Sequence, residues 1–163
     1  MPEKDYAAEY LALKAANDQL RERGKQWLLD TLTQLCADAN RNLMTQPQQG
    51  GIQTGIQEWQ FKVDNATMAG ERFGARYGYR TLTVELGWPR LPEHGFLTDS
   101  ALARAQVSLS QNTMLQPQVI VELVFKKVGS GEPAWFVSKN RQLGEQITEA
   151  RLREFLNLIL ADE

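Results

Sequence analysis

The sequence predicts an α+β domain in which a mainly antiparallel sheet of about five strands packs against a long N-terminal helix and a C-terminal helix. Three observations predict it. Apolar residues recur every three or four positions towards both ends of the chain, and they alternate every second position between residues 58 and 138. The 163 residues also suit one domain with a core of its own. The domain is taken as residues 1–163, because strands that are apolar on one face need the helices to cover them.

The first helix spans residues 4–46. Pro2 and Glu3 suit its first turn, where a missing N–H is harmless and a negative charge meets the positive helix end. Tyr6, Tyr10, Leu13, Leu20 and Trp27 begin an apolar stripe, which Leu28, Leu32, Leu35, Ala39 and Leu43 continue. The stripe shifts at Arg23-Gly24. Glycine costs about 1 kcal/mol relative to alanine inside a helix, so a kink or break is expected there. Tyr6, Tyr10, Leu13, Asn17 and Leu20 have the spacing of a short heptad seam, with Asn17 as a polar seam residue of the kind that sets register.

Residues 45–57, rich in glutamine and glycine, read as a polar loop. Strands are expected at 58–64, 79–88, 103–111, 118–128 and 134–137. Residues 70–79 read as a short bulged strand or an ordered loop. Two prolines and two glycines in residues 87–95 exclude regular structure there. Residues 98–102 stay open, since Thr98 or Asp99 suits a helix cap while the alternation from Ala103 suits a strand. The segment 118–128 is the strongest strand, with Val119, Val121, Leu123 and Phe125 on one face and Ile120, Glu122, Val124 and Lys126 on the other. Ile120 and Val124 should then be half-exposed unless the N-terminal helix, a second subunit or a ligand covers them. Thr148 caps a C-terminal helix over 148–161, with Leu152, Phe155, Leu156, Ile159 and Leu160 on its apolar stripe.

Composition and motifs argue against several functions. The net charge of −2 offers no basic surface, so no nucleic acid is expected as a partner. No apolar run approaches the roughly 18–20 residues of a membrane span, and the N-terminus is polar, so no membrane partner is expected. A lone cysteine fits a reducing compartment, and the expected location is cytoplasmic. No glycine-rich phosphate or dinucleotide motif occurs, and no cofactor is expected. His94 and Cys36 lie far apart and the acids do not cluster, so no metal site is expected. His94 is the only histidine and Cys36 lies on an apolar stripe, so no catalytic residue is assigned.

The informative polar feature is arginine. All five basic residues between Lys62 and Lys126 are arginines, and aromatic residues fall among them. Arginine forks anions and stacks on aromatic rings, as lysine does poorly. Arg72, Arg76, Tyr77, Arg80, Trp88, Arg90, His94 and Phe96 are therefore the candidate surface for a protein partner or a small anionic ligand. The structural alternative pairs these arginines with Glu71, Glu85, Glu93 and Glu122 and lays their stems over the sheet. Tyr10, Leu13, Leu20, Ile120 and Val124 are the candidate contacts of a homodimer.

The element order and size resemble type III secretion chaperones, though no diagnostic motif accompanies the likeness. The resemblance implies a small acidic dimer that holds an extended segment of another protein. The reading is accordingly a non-enzymatic, chaperone-like interaction module. The alternative is a small-ligand-binding or catalytic domain, with Trp59, Phe61, Trp88, Phe96 and Trp135 lining an apolar cavity between sheet and helices and Arg72 to Arg90 or His94 at its mouth.

Overall fold

The computed structural model describes residues 6–43, 50–95, 97, 100–112, 114–140 and 142–160. Helix α1 (Tyr6–Leu43) is followed by β1 (Gln53–Val63), β2 (Ala66–Tyr77) and β3 (Arg80–Trp88). A single 3₁₀ turn at Pro92–His94 precedes β4 (Ala103–Ser110), β5 (Gln118–Lys126), β6 (Ala134–Lys139) and β7 (Gln142–Gln146), and α2 (Glu149–Leu160) follows. The strands form one antiparallel meander in chain order, β1 to β7.

The sheet thus has seven strands rather than about five. β1 starts inside the segment expected to be a loop, and it pairs with β2 without a register shift over its whole length. A two-residue turn joins them, with Asp64 at φ 49° and Asn65 at φ 67°, the left-handed pair that a type I′ hairpin needs. β2 incorporates the glycine-rich stretch. A Cβ on Gly70 would lie 2.0 Å from the Leu86 carbonyl oxygen, so glycine is what lets β2 and β3 approach closely there. Residues 98 and 99 lie outside the described residues, and the strand reading holds from Ala103 onward.

One sheet face meets both helices. Leu28, Leu32, Leu35 and Cys36 of α1 and Leu152, Phe155, Leu156 and Ile159 of α2 are buried on it. Thr148 caps α2 as expected, its Oγ1 accepting from the Arg151 amide at 3.2 Å. α1 does not break at Gly24. Phe125 on β5 occupies the space a side chain would take, with ring carbons 2.6–2.8 Å from where a Cβ would stand. The glycine is a packing requirement rather than a hinge.

The alternation expected along β5 fails at its start. The register shifts between Val107 and Ser108, so Val107 opposes Val121 while Ser108 opposes Val119. The bulge leaves Ile120 without a cross-strand partner and moves Val119 to the face away from the helices. Val124, expected half-exposed, is only 4 % exposed. Arg104 on β4 is its cross-strand neighbour and reaches Ser138 on β6, at 3.5 Å. The arginine must cross β5 to do so, and its stem covers Val124.

Candidate functional site

Sequence reading nominated the arginine and aromatic residues of 72–96 as one surface, and the fold separates them. Arg76, Tyr77 and Arg80 sit at the β2–β3 turn, whereas Trp88 ends β3 and Arg90 and His94 lie beyond it. Eight strand steps separate Arg80 from Trp88, roughly 26 Å at the usual rise. Phe96 lies outside the described residues.

Locally Arg72, Arg76, Tyr77, Trp88 and Arg90 each have a structural partner. The Arg72 guanidinium stacks on Trp59, 4.6 Å from the ring centre, and the Trp59 indole N–H donates to Glu85 at 2.6 Å. Arg76 Nε donates to the Gly78 carbonyl two residues on, at 3.1 Å. Tyr77 packs against the main core. Trp88 is buried with Arg90 4.1 Å above its ring centre and Lys25 5.9 Å away. Arg90 Nε also donates to the Ala69 carbonyl at 3.1 Å. His94 is partly exposed, and its Nδ1 is buried without a hydrogen-bond partner.

The nominated dimer residues also divide. Tyr10 and Leu13 are 65 % and 61 % exposed, and with Arg90, Leu91 and Leu97 they edge a crevice of about 260 Å³. Leu20 is half-buried and belongs to a second, larger depression. Ile120 stays 40 % exposed, but Val124 is covered by the chain itself and offers nothing to a second copy.

That larger depression lies between helix and sheet, where an apolar cavity is the alternative expectation, but most of its lining is different. It is a groove of about 610 Å³ between the Leu20–Trp27 stretch of α1 and the ends of β5, β6 and β7, with Phe125, Trp135, Pro133 and Ile147 in its wall. Trp27, on the apolar stripe of α1, borders it and is exposed, where an indole on such a stripe would be expected to be buried. The five aromatics proposed to line one cavity do not share it. Of those described, only Trp135 lines this groove, while Phe61 belongs to a separate small cluster with Val63, Ala66 and Met68. Arg23 and Glu132 stand on its rim.

Electrostatics adds one tie rather than a reactive centre. Lys25 Nζ lies 2.8 Å from Glu71 and 3.0 Å from Glu22. Burial works against its charge, but the hydrogen bonds to Glu71 and Glu22 outweigh this and raise its pKa above the usual lysine value. Cys36 goes the other way in reactivity: burial pushes its thiol up to about 11. Among the described residues no group of three or more His, Cys, Asp or Glu is placed to hold a metal ion. No helix among them is long and apolar enough to cross a membrane. Comparisons with protein-family models, curated proteins and solved structures found no match.

Proposed function

We propose that the domain is a non-enzymatic protein-interaction module, chaperone-like and homodimeric. One observation carries the reading: the described side chains of the first three turns of α1 point into solvent although several are large and apolar. Every residue from 7 to 16 is exposed, including Tyr10, Leu11 and Leu13 at 65 %, 62 % and 61 %. The cause is length. Thirty-eight residues make a helix about 57 Å long, whereas a nine-residue strand covers only about 30 Å. α1 therefore overhangs the sheet, and its apolar residues there lack a core to join. Tyr10 and Leu13, three residues apart, share one side of the helix, and an exposed apolar surface of that kind is what a second protein covers. The cytoplasm is the compartment supposed, in keeping with a lone, buried, unpaired thiol.

Sedimentation of the intact chain at several concentrations tests the homodimer. Mass rising towards twice the monomer value by tens of micromolar is expected, and a monomer throughout overturns it. Leu11→Ser with Leu13→Ser should lower binding to self or partner without changing the fold by circular dichroism.

A second reading, a small-ligand-binding domain, is favoured by the Leu20–Trp135 groove. Its volume falls within the usual range for ligand pockets, and apolar walls with a cation and an anion on the rim suit an amphipathic molecule. Binding of an apolar fluorescent dye that is lost in Trp27→Ala supports it; a signal unchanged by that substitution counts against the groove.

A further inference from the structure

We infer that β1 is the sheet edge through which two copies pair, antiparallel and centred on Gln60, to give one continuous sheet across the dimer. The inference rests on the homodimeric reading above and names its interface.

β1 is one of the two edge strands, and nothing in it discourages pairing. Natural edge strands are blunted by proline, by bulges, by shortness or by several lysines. β1 is 11 residues long, contains no proline, carries one lysine near its end, and pairs with β2 without a bulge. The opposite edge is blunted by shortness and by an irregular register. β7 has 5 residues, its register with β6 is irregular, and Glu145 on it is tied to Arg151 of α2 at 3.1 Å.

Among the described residues, the approach to β1 is open on both faces. On the helix side Glu58 and Gln60 border a hollow of about 630 Å³ with Lys25, Glu71 and Arg90, and Ile56 is 50 % exposed, so α1 does not overlie this strand. On the other side the Trp59 indole turns inward over Gly70 towards Glu85, leaving the main chain of the edge uncovered.

Charge selects the register. A two-fold axis at Gln60 sets Glu58 opposite Lys62 of the second copy, twice per dimer, and Trp59 opposite Phe61. An axis at Glu58 or at Lys62 sets like charges against each other. An axis at Trp59 leaves Glu58 opposite Gln60 and Lys62 opposite Ile56, with no ion pair. Both charged residues are exposed, and among the described residues neither has an ion-pair partner within the chain. The overlap of residues 57–63 is short, so the dimer is weak and concentration-dependent.

The test is charge reversal read by sedimentation, on variants whose circular dichroism matches the parent. Glu58→Lys and Lys62→Glu should each weaken the dimer about tenfold, since each sets like charges opposite one another twice. Together they should restore it. As an independent reading, Gln60→Cys in a Cys36→Ala background should form a disulfide across the two-fold axis under mild oxidation, because directly opposed strand residues lie roughly 4.5–5.5 Å apart at Cα. A parent dimer that ignores both reversals and gives no cross-link overturns the β1 interface while leaving the homodimer intact. A parent that stays monomeric at every concentration overturns the homodimer and this interface together.

Discussion

The indole Nε1–H of Trp135, on β6, donates to the main-chain carbonyl of Gly24, in the middle of α1, at 2.9 Å across 111 residues of sequence. The bond fixes how deeply the helix sits on the sheet at the point where it has no side chain. Phe125 fills that gap, its ring centre 5.2 Å from that of Trp135. Helix, β5 and β6 are locked through one small cluster, and the groove beside Trp27 opens directly next to it.

Gly24→Ala should therefore destabilise the protein, against the helix-propensity gain of about 1 kcal/mol that an exposed site would show. The new methyl would meet the Phe125 ring at 2.6–2.8 Å, and the Trp135 bond prevents the helix from backing away. Overpacking of this kind costs about 1–3 kcal/mol, so the net loss is expected at about 1 kcal/mol. Urea denaturation checks it. Adding Phe125→Leu should remove most of the penalty, a coupling that a double-mutant cycle measures.

Arg104→Met should be neutral or stabilising, whereas Arg104→Ala should cost about 1–2 kcal/mol. The residue is 8 % exposed, and among the described residues its Nε has no partner and its guanidinium meets Ser138 alone, at 3.5 Å. A buried cation so thinly bonded contributes through its stem, which covers Val124. Methionine keeps that cover without the charge; alanine removes it. Thermal denaturation of the two variants, compared with the parent, decides between a packing and an electrostatic role.

These two sites show which features were legible in the sequence. Helical and alternating periodicity report burial on one face, so α1, α2, β3, β4, β5 and β6 were readable from their apolar residues alone. The second half of β1 was readable from Trp59, Phe61 and Val63, but its first half and β7 were not, because their residues are exposed and they are held by main-chain pairing, which leaves no mark on side-chain polarity. Gly24 was read as a break because propensity is local, while its reason is a ring brought in from residue 125. Val124 was placed on the correct face, but its cover comes from a long arginine two strands from the serine that it reaches. The arginine residues are spread out for the same reason: closeness in sequence along β2 and β3 becomes distance in space.

Lys25 and Glu71 should show a coupling energy of about 1 kcal/mol in a cycle of Lys25→Met and Glu71→Gln, more than an exposed pair gives. Their side chains are 11 % and 26 % exposed and meet at 2.8 Å, joining α1 to β2. Glu71→Gln alone leaves Lys25 its contact with Glu22, so the single loss should be smaller than that of Lys25→Met, which strands a partly buried carboxylate.

Stability should fall as the solution becomes alkaline, in two separable stages. Cys36 is an acid whose folded pKa, about 11, lies above its ordinary value of 9.0. Its protonated form is favoured in the fold, so its contribution is complete below pH 9.0 and is lost as pH rises towards about 11, where the unfolded chain ionises first. Lys25 has a pKa raised from 10.5, so its contribution is complete below pH 10.5 and is lost as pH rises through the higher folded value. Cys36→Ala should remove only the first stage. Urea midpoints from pH 8 to the alkaline limit, run on parent and variant, separate the two groups. The same burial should keep the thiol unreactive towards a disulfide reagent at about pH 8, where a group of this pKa is thiolate about one part in a thousand of the time. Labelling should then follow the rate of unfolding, and rapid labelling of the folded protein would show that α1 opens around Cys36.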